Sequence, residues 1–489
     1  MTTIDVTRDT DPAAVAGLSA AAVRASERWA AADRATRAAA LRAIADALDA
    51  AADDLVSLAS AETHLPEGRL RGELRRTTFQ LRLFAEVLTD GGYLDVRVDQ
   101  ADPDWPMGAP RPDLRRTLVP LGPVVVFAAG NFPFAFSVAG GDTAAALAAG
   151  CAVLLKAHPG HLALSAATAE VVQQSLAAAG APDGLFTVLY GDEAGRAAVL
   201  DPSVKAGAFT GSTSGGRALF DLAVSRPEPI PFFGELGSVN PVFVTQAAAA
   251  ARGEAIAAEA VASFTLGAGQ FCTKPGVLLA PVDSPLVDAL RDGDLPGPAP
   301  LLGERGVAGH AGVRAALAGH AAVEVLAEGG DPVADPPAPS ILVTGVQTLL
   351  ADLDELFCEC FGPTLLVVTY TDESDLVAVA HAIDGQLTAS VFGEAGDAVA
   401  PELVAVLTRR AGRLLWNQWP TGVSVTYAQQ HGGPYPATTA PGTTSVGTAA
   451  ITRFLRPVAY QGFPADLLPT ELRDDAEGTL PRLMNGAVE

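Results

Sequence analysis

Cysteine and lysine are both scarce in this chain. Among 489 residues there are 4 cysteines, Cys151, Cys272, Cys358 and Cys360. So few thiols in so long a chain do not build a disulfide framework, which predicts a reducing, cytoplasmic location and leaves one thiol free for chemistry. Lysine occurs only at Lys156, Lys205 and Lys274, and 32 Lys+Arg stand against 56 Asp+Glu, a net charge of −24. A nucleic-acid binder must neutralise phosphates, and an anionic bilayer makes a similar demand, so neither partner is expected. Long apolar runs are missing too. No stretch of about 18 apolar residues escapes Gly or Pro punctuation, which excludes a membrane-spanning helix. Residues 1–17 lack the basic and apolar regions of a secretory signal.

Several catalytic signatures are also absent. The stretch 211–215 reads GSTSG, with Thr213 where a hydrolase elbow needs serine, although His431-Gly-Gly would otherwise suit one. Cys358-Glu-Cys360 has no second thiol pair, and His158/His161 lack the glutamate of HExxH, so no metal is expected. No strand-to-helix turn carries GxGxxG; the nearest match, Gly267-Ala-Gly-Gln-Phe-Cys272, follows a helix.

What remains is an alternating α/β pattern. A composition of 49% hydrophobic and 18% charged residues is globular, and at roughly 150 residues per domain the length allows three domains, or two with an appendage. Apolar spacing near 3.6 predicts helices over 13–60 and 73–88. Residues 93–121 read as an extended hairpin. Strands are predicted at 124–129, 152–157, 185–190 and 206–210, alternating with helices at 134–149, 161–179, 193–200 and 214–224. A second series after Glu235 has strands at 241–244, 277–280, 364–369 and 387–392, with helices at 254–266 and 374–383. The connectivity of 285–340 stays open. The tail 453–464 reads as a strand that pairs with the hairpin or a neighbouring subunit. Buried strands alternating with helices imply parallel sheets. The turn Phe209-Thr-Gly211-Ser212-Thr-Ser-Gly-Gly216 ends one such strand and opens a helix, where free N–H groups face an anion.

Six stretches stand in a telling order: Gly130-Asn131-Phe132-Pro133, Leu155-Lys156-Ala157-His158-Pro159, Phe209-Thr-Gly211-Ser212, Gly234-Glu235-Leu236-Gly237-Ser238, Gly269-Gln-Phe-Cys272 and Glu359-Cys-Phe361-Gly-Pro363. From about 15 to 465 the chain resembles the aldehyde dehydrogenase superfamily. Its end region, through Trp419-Pro-Thr-Gly-Val423, His431-Gly-Gly-Pro-Tyr-Pro and Arg453-Phe-Leu-Arg-Pro457, resembles the branch that oxidises 2,5-dioxovalerate (α-ketoglutaric semialdehyde), with NADP-dependent fatty aldehyde dehydrogenases as near relatives.

The resemblance implies an α/β fold with two parallel α/β domains and a small β oligomerisation element. Residues 1–92 and 121–235 would bind the cofactor, 236–440 would form the catalytic domain, and 93–120 with 450–489 would assemble a homodimer or homotetramer. It implies oxidation of an aldehyde to a carboxylate through a thioester, with NADP or NAD as cofactor. Cys272 would be the nucleophile. The Asn131 amide and the Cys272 N–H would hold the oxyanion, and Glu235 would activate water, its pKa raised by apolar neighbours. Lys156 would reach the adenosine ribose or its phosphate, Gly211 and Ser212 the pyrophosphate, and Glu359 with Phe361 the nicotinamide ribose.

Some positions depart from the superfamily pattern. Pro159 replaces a glutamate that binds the ribose 2′-hydroxyl in many NAD-preferring relatives, so NADP should be tolerated or preferred. Arg196 is a further candidate phosphate contact. Arg76 stands where an apolar tunnel residue is common, and with Phe136 it is the candidate for binding the substrate, its guanidinium facing a carboxylate. A CoA-acylating transferase on the same thiol is the rival chemistry, disfavoured by Glu235, and a catalytically silent binding protein is disfavoured by the presence of Cys272, Glu235 and Asn131 together.

Overall fold

The computed structural model describes residues 9–476 and 480–488. Residues 1–8 of the segment read for a secretory signal, and 477–479 and 489 of the expected tail, lie outside the described residues. Four helices come first, Pro12–Ala30, Arg34–Ala50, Ala52–Thr63 and Glu67–Asp90. The Asp11 and Asp33 side chains cap the first two by accepting from the Ala13 and Thr36 N–H groups, and Gly91 ends the fourth in the left-handed region. No helix among the described residues is long and apolar enough to cross a membrane.

The helices pack on a five-stranded parallel sheet ordered Phe186–Leu189, Val153–Lys156, Val124–Phe127, Ala206–Thr210, Phe232–Glu235. The chain enters at the central strand, moves outward to one side, then returns to the other. Such a switch point opens a crevice at the carboxyl ends of the strands, where ligands bind in open α/β sheets. Asn131, Lys156, Ser212 and Glu235 all sit at those ends.

A second sheet of seven strands runs Glu324–Glu328, Ser340–Gly345, Thr364–Tyr370, Val277–Pro281, Val242–Val244, Gln386–Phe392, Ala411–Trp416. Only the first strand is antiparallel to its neighbour. Alternate side chains feed two separate cores: Phe243, Leu279 and Val368 on one face, Val244, Leu278 and Val367 on the other. The expected hairpin, Val96–Asp99 with Leu114–Pro120, joins tail strand Leu455–Gln461 and two short strands, Arg482–Met484 and Ala487–Val488, in a third sheet. The architecture is α/β, with two parallel-sheet units and a small β element.

Three local expectations need correction. The helix expected over 134–149 covers only Gly141–Ala149. Residues 134–140 turn tightly, because Gly140 lies so close to the Phe134 and Ala135 carbonyls that a Cβ there would come within 2.6 and 2.4 Å of them. Strand Phe232–Glu235 was not expected at all, since Pro231 and Gly234 mask its pattern. The helix expected over 254–266 begins earlier, at Gln246, capped by Thr245, and is kinked at Arg252. The open stretch 285–340 resolves into helices Pro285–Asp292 and Gly303–Gly319 and the antiparallel edge strand.

One buried ion pair anchors the tail beside the crevice. The Arg453 guanidinium donates to Asp142 at 2.5 Å and to the Phe233 carbonyl at 2.8 Å, with both side chains nearly inaccessible. Removing one partner strands a buried charge. Arg453→Met should cost about 3–5 kcal/mol of stability, measured by urea denaturation, and adding Asp142→Asn should recover part of that loss. A cost below about 1 kcal/mol would show that the pair is not an anchor.

Candidate active site

The Cys272 thiol projects from a turn that follows the short helical turn Leu266–Gly269. Gly269 lets this turn meet another loop, since a Cβ there would come within 2.2 Å of the Gly362 carbonyl oxygen. Across the crevice, Glu235 ends its strand with only 2% of its surface exposed. Its carboxylate accepts from His431 Nε2 at 2.8 Å on one oxygen and from Ser445 Oγ at 2.5 Å on the other. His431 Nε2 is also 3.5 Å from Cys272 Sγ. Ligand atoms of Glu235, Cys272 and His431 all lie within 4.8 Å of one another.

These donors arrive on a single segment, residues 431–445, which runs back along the edge strand. Leu236 donates to the Ala437 carbonyl at 2.8 Å and Thr439 to the Gly234 carbonyl at 3.0 Å. A cavity of about 10 Å³, room for one water molecule, adjoins Glu235 and is lined by His431, Ser445 and Arg453.

The electrostatics correct one expectation. Burial pushes the Glu235 pKa up, as expected, but the neighbouring His431 and hydrogen bonds from His431, Ser445 and Cys272 outweigh it, so the carboxyl is held below its usual range. Cys272 moves the other way. Burial and the Glu235 charge raise its thiol well above the ordinary value. The resting pair is therefore a thiol beside a carboxylate.

Asn131 reaches the same turn. Its side-chain amide donates to the Gln270 carbonyl at 3.0 Å, while Arg69 holds the Asn131 backbone carbonyl at 2.8 Å. The Cys272 N–H has no acceptor among the described residues. Asn240 fixes the far side of the turn, donating to the Cys272 carbonyl at 2.8 Å and the Lys274 carbonyl at 3.0 Å.

The expected cofactor residues line the first sheet's carboxyl edge and the facing loop. Ser212 caps helix Thr213–Val224 by accepting from the Gly215 N–H, and the Gly211 N–H bonds the Glu235 carbonyl. Glu359 approaches Gly237 so closely that a Cβ there would sit 2.3 Å from its carboxyl oxygen. Burial raises the Glu359 pKa to about 7, against the pull of Lys274 and a hydrogen bond from the Ser238 backbone. Phe361 follows, half-buried, in the turn before strand Thr364–Tyr370. Lys156 is not free for a phosphate: its ammonium is bound to Asp192 at 2.6 Å. The carboxylate missing at Pro159 is thus partly restored from helix Asp192–Leu200, which follows the neighbouring strand, and this weakens the expected advantage of NADP. Arg196 pairs loosely with Glu193 at 3.8 Å. Arg76 and Phe136 do meet, the guanidinium 5.0 Å from the ring centroid.

The aldehyde dehydrogenase family profile matches residues 2–291. The chain is 47% identical over 465 residues to alpha-ketoglutaric semialdehyde dehydrogenase 2 of Azospirillum brasilense, covering 93% of this chain and 88% of that one. It is 44% identical over 440 residues to alpha-ketoglutaric semialdehyde dehydrogenase of Acinetobacter baylyi, covering 89% and 84%. The chain belongs to the aldehyde dehydrogenase family. Among solved structures, lactaldehyde dehydrogenase from Escherichia coli shares the fold, with a TM-score of 0.79, 20% identity and coverage of 93% of this chain and 92% of that one. An aldehyde dehydrogenase acts on aldehydes with a nicotinamide cofactor, and the crevice fits one: the N-terminus of helix Thr213–Val224 lies at the first sheet's carboxyl edge, and the Glu359 carboxylate faces it across Gly237.

Sequence reasoning had left His431 without a role and passed over Ser445 and Asp192. The His431-Gly-Gly stretch was visible, yet its partner is 196 positions away. Because His431 and Ser445 together hold Glu235 ionised, His431→Phe should raise the pKa of Glu235. In this aldehyde dehydrogenase the acidic limb of the kcat–pH profile should then move to higher pH, with activity falling off sooner on acidification. A limb that stays in place would show that His431 does not set the state of Glu235.

Proposed function

We propose that the chain oxidises 2,5-dioxovalerate to 2-oxoglutarate with NADP or NAD. The observation that carries the chemistry is the meeting of Cys272 with the buried Glu235 carboxylate. Two relatives above 40% identity and the buried, unpartnered Nη atoms of the half-buried Arg76 support the substrate.

In this reading the Cys272 sulfur attacks the aldehyde carbon while its proton passes to the adjacent Glu235 carboxylate. The oxyanion is received by the Asn131 side-chain amide and the Cys272 N–H. A bound nicotinamide cofactor supplies the hydride acceptor that turns the adduct into a thioester. Glu235, its first proton released to solvent, then takes a proton from water as the water adds to the thioester carbon, and returns it to the Cys272 sulfur as that sulfur departs and the acid forms. Lys156, Gly211, Ser212, Glu359 and Phe361 would hold the cofactor.

We also infer that 1–92 with 121–235 form the cofactor domain and 236–440 the catalytic domain. The segments 93–120 and 450–489 then form the element that assembles a homodimer or homotetramer. Each of the three sheets draws its strands from one of these groups, which supports the division.

Cys272→Ser should lose dehydrogenase turnover while keeping its melting temperature, because a hydroxyl is a weak nucleophile without a stronger base. Glu235→Gln should release at most one reduced cofactor per site, more slowly than the wild type because the thiol proton has lost its acceptor, and then stall at the thioester. A wild-type rate without a burst would remove Glu235 from deacylation.

Cofactor choice has its own test. Lys156 must exchange Asp192 for a 2′-phosphate, so Asp192→Asn should raise the NADP⁺/NAD⁺ ratio of kcat/KM by up to about fivefold, the ceiling for an exposed ion pair. A ratio that falls would show that Asp192 assists the phosphate site.

A further inference from the structure

Two arginines converge on one loop beside the thiol turn. Arg413, on edge strand Ala411–Trp416, donates Nη2 to the Pro420 carbonyl at 2.7 Å and Nη1 to the Gly422 carbonyl at 3.1 Å. Arg76, from helix Glu67–Asp90, donates Nε to the next carbonyl, Val423, at 3.3 Å. The loop is tied to the reaction centre, because the Gly422 N–H bonds the Thr273 hydroxyl at 3.2 Å and Thr273 follows Cys272. Thr421 locks it from behind through Ser263 at 2.6 Å.

Three donors of this pair are buried without a partner among the described residues: Arg76 Nη1, Arg76 Nη2 and Arg413 Nε. Neither guanidinium has a carboxylate within ion-pair distance among the described residues, Glu73 and Glu86 included. The buried acid one turn before Arg76, Glu73, spends one oxygen on the Phe134 and Ala135 N–H groups. Arg69 is occupied differently, held on the Asn131 carbonyl with its guanidinium over the Phe132 and Phe271 rings. Buried charge and buried donors without partners are costly, and a ligand that satisfies them is favoured.

We propose that Arg413 is a specificity residue that reads the 2-oxo group of the substrate while Arg76 takes the adjoining carboxylate through its two Nη atoms. The inference rests on the proposed 2-oxo acid substrate and deepens it. A 2-oxo carboxylate offers one keto and two carboxylate oxygens, and the site offers one Nε and two Nη donors. A plain ω-carboxylate aldehyde satisfies Arg76 but leaves Arg413 Nε buried and unpaired. That shortfall is a basis for rejecting the analogue that lacks the oxygen.

The test compares kcat/KM for 2,5-dioxovalerate, 5-oxopentanoate and pentanal. The wild type should prefer the dioxo acid to 5-oxopentanoate. Arg413→Met should cut that preference at least about tenfold, the worth of one hydrogen bond to a charged group, whereas Arg76→Met should lower both acids together relative to pentanal. An unchanged dioxo/mono-oxo ratio in Arg413→Met overturns the proposal. Because Arg413 also holds the loop, a second measurement uses the wild-type protein, with 2-oxoglutarate and glutarate as inhibitors against pentanal. Tighter inhibition by 2-oxoglutarate, by about tenfold or more, supports the assignment, and equal inhibition overturns it. Oxidation of pentanal but not of 2,5-dioxovalerate would instead reject the substrate reading, and the inhibitor pair would still decide the role of the arginines.

Discussion

Everything at the reaction centre depends on keeping one carboxylate charged inside the protein. Glu235 sits at the end of an edge strand, out of water, and an ion there is stable only with donors on its oxygens. The strand's outer edge offers the carboxylate none, because its backbone groups there pair with Ala437 and Thr439. The donors come instead from residues 431–445, which leave the second sheet's last strand and cross back to lie along Phe232–Glu235. That path joins the two sheets where the thiol and the base must face each other. Arg453, a few residues further on, holds the Phe233 carbonyl and so secures the strand from behind.

The same charge governs the thiol. Burial and Glu235 both oppose a thiolate at Cys272, so a free sulfur anion beside a free carboxylate is the disfavoured state. Two interacting groups of this kind titrate as a pair. When Glu235 takes up the thiol proton its field vanishes, and the sulfur becomes easier to ionise at the moment it must form a bond. In the proposed mechanism the nucleophile is thus quiet at rest, and its activation is tied to the base that would later serve deacylation. Arg76 and Arg413 add positive potential on the same side, since each interacts favourably with charge on Cys272.

Much of this was legible in the sequence because it is local. Cys272 follows a glycine-rich turn, Asn131 and Lys156 close apolar strands, Ser212 opens a helix, and each pattern needs only its neighbours to be read. The helical stretches were legible from spacing, and both parallel series from their alternation. What failed was either punctuated or distant. Pro231 and Gly234 hid a strand of four residues, and Gly140 cut short a helix that composition favoured. The direction of the Glu235 shift could not be read because Ser445 is 210 positions away. Asp192 is closer to Lys156 in sequence, at 36 positions, but only the packing of helix Asp192–Leu200 puts its carboxylate on the ammonium.

Comparing the two ends of the crevice shows how binding and selectivity are divided. At the cofactor end Lys156 is already satisfied by Asp192, so a 2′-phosphate gains only the difference between two ionic partners, one of them half in water. A group that must exchange partners discriminates weakly, and that favours use of both cofactors. At the proposed substrate end Arg76 Nε and both Arg413 Nη atoms are fixed by loop carbonyls, while Arg76 Nη1 and Nη2 and Arg413 Nε are left without acceptors among the described residues. Their burial has already been offset by the fold, so a ligand that meets them gains nearly the full interaction and one that does not meets an unrelieved cost. In the proposed reading, tolerance toward the dinucleotide and strictness toward the aldehyde would follow from a single difference, whether the cation has a partner before the ligand arrives.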